Sequence, residues 1–434
     1  MRLRTFNAGD GDSLLLSSSD NRHMLVDGGR GESFRENAAQ SVSDCKTLDV
    51  LCVSHIDADH ITGVLELLDA EVDWRVHLNE AKKPPSGRPP FPKPASPKPP
   101  KILQVWHNGF GDQLSGVAGD VRSMLSLAAS SQLSLANPDL IPRHNYLADL
   151  ALGEKQAITL THRLAAAQLG IPLNKQFGGK LIRAGMAKST FKLGKTTLTV
   201  LGPFEEDLEA LQVQWKEWLE DNKKALDGLR DDMGRDSDRL QLSEGQTFLR
   251  TMEGIAATTG KLGKRESITT PNLASIILLA TENRRSVLLT GDAAAQDIVK
   301  GLERARKLDR NGCIHVDILK VQHHGAGANV SEDFVKSVTA DHYVFCGNGA
   351  HSNPEEAVLE LIGLSRIDPA KRGAHAKAGA PFEMHFNHSS ANPNTASRKA
   401  HMRKIEKQME TMAAASNGQM KATFHNTGFF DIDL

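Results

Sequence analysis

Short apolar runs, each closed by glycine, aspartate or serine, open the chain. Arg2–Asn7 alternates between polar and apolar positions, Ser13–Leu16 is apolar with a serine-rich exit, and His23–Val26 ends in Asp27-Gly28-Gly29. Runs this short with turn residues at their ends predict β-strands. Leu48–Ser54 (LDVLCVS) is apolar through most of its length, the pattern of a strand covered on both faces. The hexapeptide HIDADH follows at once, and the apolar spacing of Ile61, Val64, Leu65, Leu67 and Leu68 then predicts a helix. The order is strand, polar loop, helix.

Pro84–Pro100 (PPSGRPPFPKPASPKPP) cannot be regular structure, because most of its residues lack an amide proton or precede a proline. It reads as an exposed, polyproline-like loop inserted into the domain. Ile102–Trp106 predicts another strand, closed by His107-Asn108-Gly109. From about residue 112 to 170 alanine, leucine and serine recur at helical spacing, and Leu208, Leu211, Trp215 and Trp218 mark one stripe of a later helix. The charge crowding at Glu220–Lys224 and Arg230–Arg239 reads as a solvated helix or loop. Strand patterns resume at Thr196–Leu201, Ala274–Ala280, Ser286–Thr290, Asp317–Val321 and Tyr343–Cys346. Strands therefore fall in two blocks around a mainly helical insertion. After about residue 370 the chain turns polar and ends in two runs, Met420–His425 and Phe429–Leu434, that read as a strand pair.

Composition changes this picture little. At 434 residues, 39% hydrophobic and 24% charged, the chain can bury a core, and its length allows several domains or one α/β domain with long insertions. Lys+Arg 52 against Asp+Glu 53 excludes a wholesale polyanion binder, so any contact with nucleic acid would have to be local. Cys45, Cys52, Cys313 and Cys346 are widely spaced without CxxC pairing, which predicts buried reduced thiols and neither a disulfide framework nor a thiolate metal site. Asp10 and Asp12 stand where a signal peptide would be apolar, and no run approaches about 18 apolar residues. The expectation is a cytoplasmic protein with no membrane partner.

Chemistry sharpens it more. His55-Ile-Asp57-Ala-Asp59-His60 carries four ligand-type side chains in six residues, on a loop after a buried strand. Side chains at i and i+2 there can converge on one cation, and those at i+4 and i+5 on a second. Carboxylates packed so closely repel one another unless positive charge is bound among them. The competing reading is a polar turn capping the helix at Ile61, with Asp59 as N-cap. Further ionisable residues stand where apolar strands end: Asp27 after HMLV, Asp292 in LLTGD, His323 and His324 in VQHHG. Open α/β sheets present functional side chains at such ends. Each also has a local explanation, an Asx-turn for the aspartates and a solvent-facing pair for the histidines.

FNAGDGDSLLL, MLVDGG, VSHIDADHITGVLELL, VLLTGDA, VDILKVQHHG and GNGAHSNPEEAVLELI stand in the order found in the metallo-β-lactamase fold. Together they resemble the subgroup typified by the metallo-β-lactamase domain of the DNA-uptake competence protein ComEC. That subgroup has Asp where the common HxHxDH pattern has its second His, here Asp57. PNLASIIL, with Asn272 and Ser275, resembles the family's Asn-rich strand before LLTGD. The resemblance covers about residues 1–80, 196–204 and 268–365. It implies an α/β fold, the αββα sandwich, with a catalytic domain over residues 1–365. That domain would carry the Pro-rich insert, about 84–100, and mainly helical inserts at about 112–180 and 205–265; a C-terminal extension, 366–434, would pack on it.

Carried onto this chain, the resemblance implies that His55 and Asp57 hold one metal, Asp59 and His60 the other, and that Asp292 bridges them. His324 would complete the second site, with His323, nearer the strand end, as the alternative. His107 is a candidate for the remaining ligand of the first. Asp27 would position the ligand loop, and Asp12 with Gly9 and Gly11 would shape the floor. The implied cofactor is two divalent cations, Zn2+ or Mn2+; Asp57 makes the site harder, which suits Mn2+ better than an all-His site would and suits a phosphate diester as well as an acyl substrate. The implied reaction is hydrolysis by a metal-bridging hydroxide, with Asp59 orienting that water or taking its proton. His351, in GAHSNP, would contact a scissile phosphate or protonate a leaving group, or else serves only as a helix-start turn before Pro354.

The competence-protein resemblance implies a phosphodiesterase or nuclease. A small-molecule ester or phosphoester hydrolase, and a non-catalytic metal-binding adaptor with a protein partner on its helical insert, are the alternatives. Between Arg366 and Glu410 nine Lys/Arg stand against four Asp/Glu, which suits a phosphate backbone or a solvated helix. Aromatic residues at 5% supply little for base stacking, so a single-strand-binding role is disfavoured.

Overall fold

Two β-sheets face each other across an apolar layer, and helices cover both outer faces. The computed structural model describes residues 1–109, 168–211, 268–392 and 395–434, with scattered positions between 156 and 165 and residue 213. In chain order the strands are β1 (Arg2–Phe6), β2 (Leu14–Ser17), β3 (His23–Val26), β4 (Thr47–Leu48), β5 (Val50–Cys52), β6 (Lys101–Ile102), β7 (Val105–Trp106) and β8 (Thr190–Leu193). They continue as β9 (Thr196–Gly202), β10 (Ile277–Glu282), β11 (Arg285–Leu289), β12 (Ile314–Lys320), β13 (Val338–Phe345), β14 (Phe382–Phe386), β15 (Met420–Phe424) and β16 (Phe429–Asp433). One sheet has the order β16-β1-β2-β3-β5-β7 and the other β15-β14-β13-β12-β11-β10-β9-β8, while β4 and β6 form a separate pair.

The apolar periodicity explains the layering. Leu14, Leu16, Met24, Val26, Val50 and Trp106 of the first sheet meet Leu198, Leu278, Leu289 and Ile318 of the second. Their alternate neighbours Leu15, Leu25, Leu51 and Val53 face outward and pack under α1 (Ala58–Lys82) through Ile61, Val64, Leu67 and Leu68. On the far side, Leu288, Leu319, Tyr343 and Phe345 are covered by α2 (Ala295–Arg304), α3 (Glu332–Ser337), α4 (Glu356–Ile367) and α5 (Ala396–Ala415). Helix, sheet, sheet and helix are thus stacked in the expected mixed α/β order.

Several elements depart from expectation. Leu48–Ser54 and Ile102–Trp106 each split in two. Asp49 turns aside to accept the His23 amide at 3.0 Å, and Leu103 is exposed between β6 and β7. The run Ala274–Ala280 becomes strand only from Ile277, because Thr270–Leu273 is a helical turn and Ile276 donates its amide to the Ser54 carbonyl at 2.9 Å. The two C-terminal runs are strands but do not pair with each other: β15 pairs with β14, and β16 pairs with β1. The segment after 366 is therefore woven into both sheets through β14, β15 and β16, and the boundary at 365/366 falls inside α4. β8, β14 and α5 carry no signal used above. The Pro-rich segment has no regular structure, yet it is strapped along α1. The Trp74 indole donates to the Ser96 carbonyl at 3.0 Å, and Glu80 accepts the Phe91 amide at 2.7 Å. The helical inserts, with Trp215 and Trp218, lie largely outside the described residues; 205–211 is helical. Among the described residues no helix is long and apolar enough to cross a membrane. The four cysteines are free, three of them buried.

The parallel strands end at one edge. β3, β5, β7, β11 and β12 deliver Asp27, His55–His60, His107, Asp292 and His323–His324 there. The Gly28–Gly63 contact sets the distance between the β3 exit and α1. A Cβ at Gly63 would overlap the Gly28 carbonyl oxygen, and the Gly63 amide donates to the Gly29 carbonyl at 2.9 Å. Helix propensity alone predicts that Gly63→Ala gains about 1 kcal/mol. This contact predicts the opposite sign, a loss of about 1–3 kcal/mol in urea unfolding; a stabilised variant would show that the two backbones are not locked together.

Candidate metal centre

The loop between β5 and α1 is held open for ligation by the residues beneath it. Asp57 is the N-cap of α1 by backbone position, with no side-chain capping bond, and Asp59 lies in the first turn. The capping explanation for these carboxylates therefore does not describe what they do. Asp27, at φ +59, accepts the Ser54 amide and hydroxyl, both at 2.7 Å, and the His60 Nδ1–H at 2.9 Å. Because the Ser54 hydroxyl donates to Asp27, it accepts from His55 Nδ1 at 3.0 Å. His107 Nδ1 faces the Val53 carbonyl at 3.4 Å. With each Nδ1 taken by a protein acceptor, the Nε2 lone pairs turn inward.

Those lone pairs have no partner. Nε2 of His55, His60, His107 and His324, and Oδ1 of Asp57, are buried without a hydrogen bond. Around Asp292 Oδ2 stand His60 Nε2 at 3.4 Å, His324 Nε2 at 3.5 Å, His323 Nε2 at 3.7 Å and His55 Nε2 at 3.9 Å. Asp57 Oδ2 lies 3.6 Å from His55 Nε2, and Asp59 Oδ2 lies 3.7 Å from His60 Nε2 and 3.2 Å from His324 Nε2. All but the last of these separations are long for hydrogen bonds. They match the edge of a ligand tetrahedron, about 3.4 Å for donors about 2.1 Å from one cation. Among the described residues, His55–His60–Asp292 and Asp59–His60–His324 each form a group able to hold an ion. The donor set fits divalent metal.

Charge gives the same answer. Asp12, Asp27, Asp57, Asp59 and Asp292 belong to one cluster with the fully buried ammonium of Lys320, which pairs with Asp12 and lies 3.4 Å from Asp292 Oδ1 and 2.9 Å from the Gly291 carbonyl. One ammonium leaves four of those five negative charges, the amount two divalent cations neutralise. Without metal the imidazoles take up the difference. Burial pulls His60 and His324 down, but the carboxylates around them overcome it, lifting His324 to about 10 and His60 well above its ordinary value. Burial raises the Asp12 carboxyl, and Lys320 with His324 reverses that to leave it at about 2. His107, farther from the carboxylates, is driven by burial to about 4 and stays neutral.

The structure brings together Asp12, Asp27, His55, Asp57, Asp59, His60, Asp292 and His324. His107 Nε2 is buried without a partner, but among the described residues it belongs to no group able to hold an ion. Of the two adjacent histidines, His324 is enclosed, whereas His323 is 31% exposed and gives Nδ1 to Asn329 Oδ1 at 2.8 Å. Both have left-handed φ, which is how consecutive imidazoles reach one centre. His351 is exposed on a 3-10 turn, and among the described residues no ion pair or hydrogen bond joins it to the cluster. Ser275 Oγ accepts the Asp292 amide at 3.1 Å, and Asn272 Nδ2 is 3.5 Å from the His323 ring. Sequence reasoning missed Lys320, although a lysine inside the apolar run DILKV was a visible signal. A separate cavity of about 720 Å3, lined by Lys46, Arg75, Lys98 and Ile102, contains none of these residues.

A family model described as the metallo-beta-lactamase superfamily matches residues 7–122. That span carries Asp12, Asp27, the His55–His60 loop and His107, and ends before Asp292 and His324. The superfamily consists mostly of metal-dependent hydrolases, and the match does not distinguish a competence-protein subgroup. No curated protein matches the chain.

Two outcomes follow from this arrangement. Raised His60 and His324 values mean that metal uptake near pH 7.5 must displace protons, so affinity tightens as pH rises and calorimetry in buffers of different ionisation enthalpy reads about two protons released; no release would contradict the protonated cluster. Lys320→Met leaves Asp12 buried with only the His324 imidazole, 3.2 Å away, to balance its charge and costs about 3–5 kcal/mol in urea unfolding, whereas a cost under about 1 kcal/mol would mean that Asp12 is not charged.

Proposed function

We propose that this protein is a metal-dependent hydrolase whose substrate is a phosphodiester, with a nucleic-acid backbone as the leading candidate. The observation that carries the reading is the convergence of unpartnered Nε2 lone pairs and carboxylates on Asp292 Oδ2. The superfamily match over the first ligand loop supports hydrolysis. The oxygen-rich donor set, with Asp57 where an imidazole is common, favours a hard cation and a phosphoryl oxygen.

His55, Asp57 and His107 would hold one cation, Asp59, His60 and His324 the other, and Asp292 both. Bound there, Zn2+ or Mn2+ would bring the pKa of water toward neutrality and stabilise negative charge on the oxygen under attack. The chain's own groups orient and move protons. Asp59 is 19% exposed at the opening, and His60 with His324 outweighs its burial and holds it well below the ordinary carboxylate range. It therefore orients water better than it accepts a proton. His323 stands at the same opening with Nδ1 committed to Asn329, and burial lowers it below its ordinary value. Its Nε2 lone pair, met only at 3.5 Å by Asn272 Nδ2, makes it the group placed to take a proton from the attacking water. His351 stays a candidate for the leaving-group side.

Hydrolysis of bis-p-nitrophenyl phosphate is expected with Mn2+ or Zn2+ and falls at least about a hundredfold in Asp59→Ala and in Asp292→Asn. Cleavage of neutral carboxylic esters with no phosphodiester turnover would replace this reading with an acyl hydrolase. Metal binding with neither activity would favour the adaptor.

A further inference from the structure

The cluster opens to solvent on one side, at Asp57, Asp59 and His323, with side-chain exposures of 20%, 19% and 31%; His55, His60 and Asp292 are at 2% or less. Beside Asp59 lies the β1–β2 loop. A Cβ at Gly11 would overlap the Asp59 carbonyl, which puts the neighbouring Asp10 at this mouth. Arg30 already occupies both oxygens of Asp10, Nε to Oδ1 at 2.7 Å and Nη2 to Oδ2 at 3.3 Å. A second guanidinium reaches the same carboxylate from the other end of the chain. Arg398, in the first turn of α5, comes to 3.7 Å from Asp10 Oδ2 and is 27% exposed. That distance is too long for a hydrogen bond. Among the described residues no hydrogen bond from the Arg398 guanidinium is formed.

Its position is fixed by backbone. A Cβ on Gly349 would fall 2.9 Å from the Arg398 carbonyl oxygen, and His401 Nε2 lies 2.9 Å from the Pro354 carbonyl. The start of α5 is therefore fastened to the turn that carries His351. By contrast, Arg366 of the same basic stretch is buried. It donates to the carbonyls of Ala340, Ala378 and Ala380, so its charge is spent on the fold.

We infer that Arg398 is an anion subsite at the mouth of the metal centre, supplying planar paired donors to a phosphate of the substrate, with His351 exposed on the adjoining turn. A guanidinium on a fixed backbone, with donors that make no hydrogen bond, suits a phosphate oxygen pair, and a lysine would not present the same fork. This rests on the phosphodiesterase reading and adds to it the residue that grips the anion. It also gives the C-terminal segment a task at the site.

The test is steady-state kinetics on a short oligonucleotide and on bis-p-nitrophenyl phosphate, with inorganic phosphate as inhibitor, for wild type, Arg398→Gln and Arg398→Lys. In Arg398→Gln, KM for the oligonucleotide and the phosphate inhibition constant should rise about tenfold with kcat within about threefold, and the salt dependence of KM should weaken by about one charge. Arg398→Lys should fall between. Metal content and thermal midpoint, read on the same samples, separate this from damage to α5. Should wild type cleave phosphodiesters while a folded Arg398→Gln keeps wild-type KM and inhibition, the subsite is overturned and the phosphodiesterase stands. If wild type cleaves only neutral esters, the phosphodiesterase reading fails, and the phosphate subsite with it.

Discussion

Asp27 is the residue on which the centre depends. It lies at the end of β3 in a left-handed conformation, and its two oxygens accept the Ser54 amide, the Ser54 hydroxyl and His60 Nδ1–H. Through Ser54 it also governs His55. One carboxylate therefore selects the tautomer of two imidazoles and points both Nε2 atoms toward Asp292. The cost of this arrangement is a buried cluster rich in negative charge and in unbonded lone pairs, which a folded protein tolerates only if something positive fills it. Lys320 answers part of that demand from below.

The sandwich explains how residues distant in sequence meet. Parallel strands in both sheets end at one edge, so each exit adds a candidate ligand without disturbing the apolar layer between the sheets. The excess length is spent away from that layer. The Pro-rich segment is strapped to α1, and the C-terminal segment brings Arg398 of α5 to 3.7 Å from Asp10 before it supplies an edge strand to each sheet. The first and last strands are neighbours, which ties the chain's ends together around the site.

Much of this could be read from residue order, for identifiable reasons. Buried strands announced themselves as apolar runs, and a ligand loop such as HIDADH is conspicuous because four ionisable groups after a strand have few other uses. The boundaries at Asp49 and Leu103 were illegible, since one polar residue in an apolar run can be a buried partner or a break, and only the His23 amide decides it. The pairing of β15 and β16 with strands far away was illegible too: alternation specifies a strand's faces but not its neighbour. Lys320 reads as an ordinary charge until the fold shows Asp12 beside it. The basic stretch from Arg366 to Glu410 is mixed, because Arg366 is buried in the core while Arg398 is part-exposed beside Asp10.

On the proposed function, Asp292 would be shared by two cations. The most direct test is anomalous scattering from crystals grown with Mn2+. Two peaks are expected, one between His55 and Asp57 and one among Asp59, His60 and His324, each about 2.0–2.3 Å from its ligand atoms and both touching Asp292. A single peak, or none with the side chains in the same positions, would contradict that sharing.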